Sequence, residues 1–269
     1  MKDMRVRRAL VGCLALAIAL STGAAWAGVS GVIYKTDGGT AKGSLAYKRT
    51  SKSYSVTTSS GVRMEIPLSK VERVRVAKPS GIDNAINDAR RGSGTAIPVL
   101  EKIMNSYYML QWDVVAARWL AHAYLQKDNA KQAVEMCEKV IAANRSAAWD
   151  PDLAAVYWDA LLRTQQHAKL RRALTDAIGH GNRTVAAIAQ IKRGDMDKDK
   201  GNLREALLDG YLRTVVLYQQ VKSVQAEALY KAATCFKELG QHSYAEKMRK
   251  KMLADYPDSP YTKRIRSGS

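Results

Sequence analysis

The stretch Ala226–Ser259, AEALYKAATCFKELGQHSYAEKMRKKMLADYPDS, decides how this chain is organised. With Ala226 as the first position of a unit of about 34 residues, Leu229 falls at position 4, Ala232 and Ala233 at 7 and 8, and Phe236 at 11. Gly240 falls at 15, Ala245 at 20, Met252 at 27 and Pro257 at 32. Apolar residues three and four apart predict two amphipathic helices. The small residues at 8 and 20 let the paired helices approach closely, and the larger apolar ones fill the space between them. Gly240 relaxes the turn and Pro257 stops the second helix. Arg249 at position 24, a place suited to a large apolar residue, predicts an exposed face at a terminal unit.

This pattern closely resembles the tetratricopeptide repeat, and weaker copies extend it towards the N-terminus. A unit starting at Val114 places Leu120, Ala121, Tyr124, Ala133, Cys137 and Val140 at positions 7, 8, 11, 20, 24 and 27. One starting at Ala187 places Gly194, Gly201 and Ala206 at 8, 15 and 20, although Asp197 at 11 breaks the pattern. A unit near Ser80 and a degenerate one over 152–186 complete four or five. None can bury its apolar face alone, so stacking makes the core. A short tail, YTKRIRSGS, follows the last copy.

Residues 29–78 differ in composition, being rich in Val, Thr, Ser, Tyr and Gly. Turn signals at Asp37-Gly38-Gly39 and Ser59-Ser60-Gly61 separate short alternating runs: GVIYKT, GSLAYK, SYSVTT, VRMEIP and VERVRV. Five short strands with tight turns read as a small barrel. The ending IPLSKVERVRV resembles the SH3-like and Sm-like barrels of bacterial envelope proteins. Lys78-Pro79-Ser80-Gly81 reads as a linker. The expected fold class is therefore α+β and multidomain: a small N-terminal β-barrel over 28–79, then an all-α repeat solenoid over 80–269.

Residues 1–27 carry Lys2, Arg5, Arg7 and Arg8, then ALVGCLALAIAL, then Ala25-Trp26-Ala27. A basic end, an apolar run of about a dozen residues and a small-x-small site are the parts of a secretory signal peptide. The run is shorter than the ~20 residues a membrane-spanning helix needs. The reading is export with cleavage before Gly28, to the periplasm or the outer membrane. Leu10-Val11-Gly12-Cys13 looks superficially like a lipoprotein box, but the apolar run mostly follows Cys13 instead of preceding it.

The formal charge is +18; four bases and one acid in the leader leave +15 for the rest. Residues 28–79 hold ten Lys or Arg against three Asp or Glu, a denser excess than over residues 80–269. Such a field attracts acidic proteins, anionic lipid headgroups or acidic wall polymers. Export and the scarcity of aromatics suited to base stacking argue against nucleic acid. Cys137 and Cys235 lie on separate expected helices and do not make a disulfide framework. They read as buried small apolar residues.

No catalytic, metal or cofactor motif emerges. His122, His167, His180 and His242 lack partners at metal-ligand spacing. The run GDMDKDKGN from Gly194 has aspartates at alternate places like an EF-hand loop. It carries Lys200 and Ala206 where that loop needs Gly and Glu, and its lysines would repel a cation. No nucleophile is paired with a base. The expectation is thus a non-enzymatic protein without a cofactor, acting through a binding surface.

The tetratricopeptide resemblance implies that first helices line a groove for peptides or partner helices. Of the groove positions 2, 5, 9, 12 and 13 that it implies, it selects Arg118, His122 and Gln126 in the Val114 unit, and Tyr230, Thr234 and Lys237 in the last. The ending YPDSPYTKRI is similar to that of exported bacterial tetratricopeptide proteins in outer-membrane assembly and cell-wall synthesis. An envelope scaffold or adaptor for protein partners is the first expectation. The alternative is a protein that binds peptidoglycan or another anionic surface through the basic barrel. The sequence leaves the oligomeric state open.

Overall fold

The computed structural model describes residues 28–267. The segment read as a signal peptide lies outside them. Five antiparallel strands come first: β1 (Val29–Lys35), β2 (Thr40–Lys48), β3 (Ser53–Thr57), β4 (Arg63–Pro67) and β5 (Val71–Val76). Their order across the sheet is β4-β3-β2-β1-β5. Alternation puts Ile33, Ala41, Leu45, Val56, Ile66 and Val74 into one apolar cluster. Ser30, Val32 and Tyr34 of β1 face the other way and pair with Ser44, Lys42 and Thr40 of β2.

The expected closed barrel is corrected here: β4 and β5 are the two edges of the sheet and do not pair with each other. The sheet is nevertheless rolled. Laid flat, its edge strands would stand about 19 Å apart at ~4.8 Å per strand. The 3₁₀ turn Leu68–Lys70 alone joins β4 to β5, and so short a link spans at most about 14 Å. That turn is tied to both neighbouring hairpins, by Leu68 N–H to the Lys52 carbonyl at 2.9 Å and Thr36 N–H to the Lys70 carbonyl at 3.1 Å. The sheet completes its core with residues of the helical part instead of closing edge to edge. Met109 and Leu110 enter the strand core, and the Tyr54 hydroxyl donates to the Met109 carbonyl at 2.8 Å.

Helices follow: α1 (Ile82–Arg90), α2 (Ala96–Ser106), α3 (Trp112–Gln126), α4 (Ala130–Ala143), α5 (Pro151–Arg163), α6 (His167–His180) and α7 (Arg183–Asp199). Next come α8 (Leu203–Glu205), a π-helical stretch Ala206–Tyr211, and α9 (Leu212–Leu217). The last are α10 (Lys222–Glu238), α11 (His242–Asp255) and α12 (Pro260–Arg266). Side-chain caps fix several starts: Asn129 accepts from Gln132 N–H, Asp150 from Leu153 N–H and Asn182 from Val185 N–H. Such a cap typically contributes about 1 kcal/mol. Gly240 turns the chain between α10 and α11 at φ 74°, where a side chain would be strained.

The helices pack as antiparallel pairs, α1 with α2, α3 with α4, α5 with α6, α7 with the π stretch, and α10 with α11. Each pair leans on the next. Leu120, Leu153, Leu161, Leu170 and Leu174, buried almost completely, form the centre of one continuous core, each worth about 1.5–3 kcal/mol of burial. A second core joins Ile191, Leu207, Tyr211, Ala228 and Phe236.

At α7 the small residue at repeat position 8 acts through contact with a second glycine. A Cβ on Gly210 would lie 2.7 Å from the Gly194 backbone nitrogen, and one on Gly194 would lie 2.7 Å from the Tyr211 ring. The run that looked like a cation loop is mostly helical, since α7 continues to Asp199. Among the described residues no cluster of His, Cys, Asp and Glu could hold a metal ion. Cys137 and Cys235 are buried and unbridged. The tail is also more than a tail. Ser259 caps α12, and Tyr261 and Ile265 pack on the cluster of Ala226, Leu229 and Met252.

Candidate partner-binding face

First helices stack on first helices: α1 on α3, α3 on α5, α5 on α7 and α7 on α10. The second helices do not stack on one another comparably, which makes the first-helix side the inner side of the array. Polar side chains recur along it at roughly the repeat spacing. Arg118 of α3 pairs with Asp152 of α5, and Lys192 of α7 with Asp159 of α5. Lys231 of α10 reaches Asp195 of α7 at 2.7 Å. Asp195 also meets Lys192 at 3.6 Å and the Tyr211 hydroxyl at 2.9 Å, and Lys231 meets Glu227 at 2.7 Å. A continuous chain of charge therefore runs from α5 to α10.

The members of this chain are held tightly. Lys192 and Asp195 side chains are only 13% and 15% exposed. Burial alone would lower the Lys192 pKa, but the carboxylates of Asp159 and Asp195 outweigh it and hold the ammonium above its ordinary range. Burial, then the Asp195 charge, pushes the Tyr211 phenol upward, so it stays a donor. With its oxygens engaged by Lys192, Lys231 and Tyr211, Asp195 acts as a joint between helices.

The six residues singled out from sequence fall into two groups. Arg118, His122 and Gln126 sit together on α3, and Gln126 Nε2 lies 3.2 Å from His122 Nδ1. The Trp119 ring makes an edge contact with His122 and lies under the guanidinium of Arg90. Burial, with Arg163 nearby, holds the His122 imidazole below its ordinary pKa. Arg118 Nε and Trp119 Nε1 are buried without an acceptor among the described residues. The second group lies on α10 and is divided. Thr234 bonds back to the Tyr230 carbonyl at 3.0 Å, and Lys237 is exposed. Tyr230 is covered by the chain itself, with the Tyr261 ring 5.4 Å away and the Arg264 guanidinium 5.8 Å from its centroid.

Sequence reasoning missed Asp159, Lys192, Asp195, Glu227 and Lys231 as a set. A signal existed in their separations, because opposite charges about one repeat apart on first helices face each other.

No family model matches the chain, and no curated protein matches it. Solved structures do resemble it. A structure of MamA from AMB-1 is 17% identical, covering 71% of this chain and 100% of that one at a TM-score of 0.43. YrrB, described as a TPR protein with an unusual peptide-binding site, is 21% identical over 68% of this chain and 90% of that one, with a TM-score of 0.42. Likeness at this level does not place the chain in a family.

Proposed function

We propose that the protein is a non-enzymatic scaffold or adaptor of tetratricopeptide type that holds a protein partner on its first-helix face in the cell envelope. The observation that carries this reading is the alignment of α3, α5, α7 and α10 by cross-helix polar contacts into one ordered face. Order of this kind lowers the entropic cost of binding an extended peptide or a helix. The stretch runs over α3, α5, α7 and the C-terminal half of α10, with Arg118, His122 and Gln126 at one end and Thr234 and Lys237 at the other. Tyr230 lies beneath α12 and serves the cap. Export rests on the leader-like residues 1–27.

A second reading has its own observation. On the outward side of the rolled sheet, Arg75 pairs across Val32 with Lys42, and Arg73 across Tyr34 with Thr40. Arg73, Arg75 and Lys42 are exposed and have no ion-pair partner among the described residues. The Arg73 guanidinium stacks on Tyr34 at 4.2 Å. This surface suits an anionic wall polymer or lipid headgroup layer.

One experiment separates the two. A photo-crosslinking residue is placed at Gln126, at Lys237, or at Lys42 in cells that make the protein. A defined protein adduct from Gln126 or Lys237 that survives high salt, which screens exposed charge, supports the scaffold. Adducts confined to Lys42, made of polymer or lipid and lost in salt, favour the second reading and refute the first.

A further inference from the structure

The chain covers one end of its own inner face. α12 lies on α10, where a further first helix would stack, but it is 7 residues long against the 17 of α10. Beneath it are Glu227 and Tyr230, which stand at groove positions 2 and 5 of the last unit. The Tyr261 ring lies 5.4 Å from that of Tyr230, and the Arg264 guanidinium 5.8 Å from the Tyr230 centroid. Ile265, one turn beyond Tyr261 on the same side, packs with it on Ala226, Leu229 and Met252. The Tyr261 hydroxyl donates to the Glu227 carboxylate. Burial, then that charge, pushes the phenol above its ordinary pKa, so it stays a donor. Glu227 also meets Lys231, which meets Asp195. α12 therefore closes the chain of charge as an added helix would.

Three side chains of α12 show what this end of the face accepts: an aromatic hydroxyl, a base three residues on and an aliphatic residue four on. The hold is slight. Isolated helices shorter than ~12–15 residues are marginal in water, so α12 depends on its seat. Pro260, Lys263, Arg264 and Arg266 are exposed, and Tyr261 and Ile265 are only partly buried. Thr262 is buried, yet its hydroxyl donates to the Tyr256 carbonyl at 2.7 Å, and Ser259 caps α12 from the same segment. Those two contacts shape the segment without tying it to α10. Leu229 and Met252 of the seat, by contrast, are fully buried.

We propose that this seat on α10 is a binding site for an amphipathic helix of the partner protein, with α12 as its occupant in the unbound molecule. The partner helix displaces α12 by presenting the same three side chains to Glu227, Tyr230 and the apolar cluster. The proposal rests on the scaffold reading of the first-helix face and places the partner at its C-terminal end. Short elements with few buried contacts open at the lowest free energy, so a competing helix enters without disturbing α3, α5 or α7. Tethering gives α12 a high effective concentration, which selects for a helix that matches it.

The probes are two peptides: residues 256–267 in their own sequence, and an alanine-based helix carrying only Tyr, Arg and Ile at the same spacings. Native-state amide exchange of the full chain comes first. Residues 263–266 are expected to open at least tenfold more readily than 229–232. Opening of both stretches together would make α12 a fixed part of the core and overturn the proposal. In the double variant Tyr261→Ala, Ile265→Ala, which uncovers the seat, both peptides are expected to bind and to slow exchange over residues 227–231. The parent is expected to bind them at least tenfold more weakly, because α12 competes. Tyr261→Phe, which loses only the hydroxyl on Glu227, should fall between the two. Equal affinity for parent and double variant, binding of a scrambled peptide, or no binding to the double variant would overturn the proposal. So would dimers of the parent formed by exchanging α12 between copies, since the occupant would then be a second copy. A protein adduct at Gln126 that does not grow in the double variant would sink this proposal while leaving the scaffold reading standing.

Discussion

Gly210→Ala tests the close crossing of α7 on the π stretch. The added Cβ would meet the Gly194 backbone nitrogen at 2.7 Å. No rotamer relieves a clash of backbone with Cβ, so the helices must separate by several tenths of an ångström. Overpacking of this sort costs about 1–3 kcal/mol, while replacing a helical glycine by alanine returns roughly 0.5–1 kcal/mol. A net loss of about 1–2 kcal/mol is expected, which lowers Tm by roughly 2–8 °C for a chain of this size. Separation also pulls on the Gln190 side-chain N–H, which donates to the Asp209 carbonyl. Amide exchange should therefore quicken first in α7 and the π stretch.

The control is Gly179→Ala in α6, where a Cβ meets nothing within 4 Å. That change is expected to raise stability by about 0.5 kcal/mol through helix propensity alone. Thermal melts and urea unfolding of the two variants read opposite signs. Equal or greater stability in Gly210→Ala would refute the close crossing and the reason given for two glycines there.

Lys192→Met leaves Asp159 and Asp195 without their shared cation. Breaking a buried pair costs about 3–5 kcal/mol, and the half-exposed Asp159 and the remaining Lys231 reduce this to about 1–3 kcal/mol, read from urea unfolding. Because the Lys192 pKa is raised on folding, its contribution is complete below the ordinary lysine value near 10.5 and fades only as pH rises above it. Asp113 behaves oppositely to a paired carboxylate, since burial raises its pKa. Its folded form holds the proton more tightly than the unfolded chain, so stability falls as pH rises from near 3.8 through the folded value. Asp113→Asn keeps an acceptor for Met109 N–H and should remove that slope, leaving the variant at least as stable as the parent at neutral pH in parallel urea titrations.

The strand runs and the helical copies were legible because they rest on local period: alternation in VERVRV, and threes and fours in AEALYKAATCF. The small residues at positions 8 and 20 were legible too, since close helix approach needs them wherever the pair recurs. Closure of the sheet was not. It depends on whether β4 and β5 meet, and the core beneath them is completed by Met109 and Leu110, far along the chain. The groove residues split for a similar reason. Arg118, His122 and Gln126 share one helix face by their spacing alone, whereas Tyr230 lies under Tyr261 because α12 folds back on α10.

By itself the sequence determined the strand runs, the helical copies and the excess of positive charge over residues 28–79, but not α12 or the π stretch. Only the tertiary structure decided which charges are joints and which are free. Asp195 reads as one of three aspartates in a polar run until Lys231, 36 residues on, is brought to 2.7 Å. Arg73 reads as one of many bases until strand pairing sets its guanidinium 4.2 Å over the Tyr34 ring. Periodicity is a property of neighbours along the chain, while pairing and enclosure belong to neighbours in space.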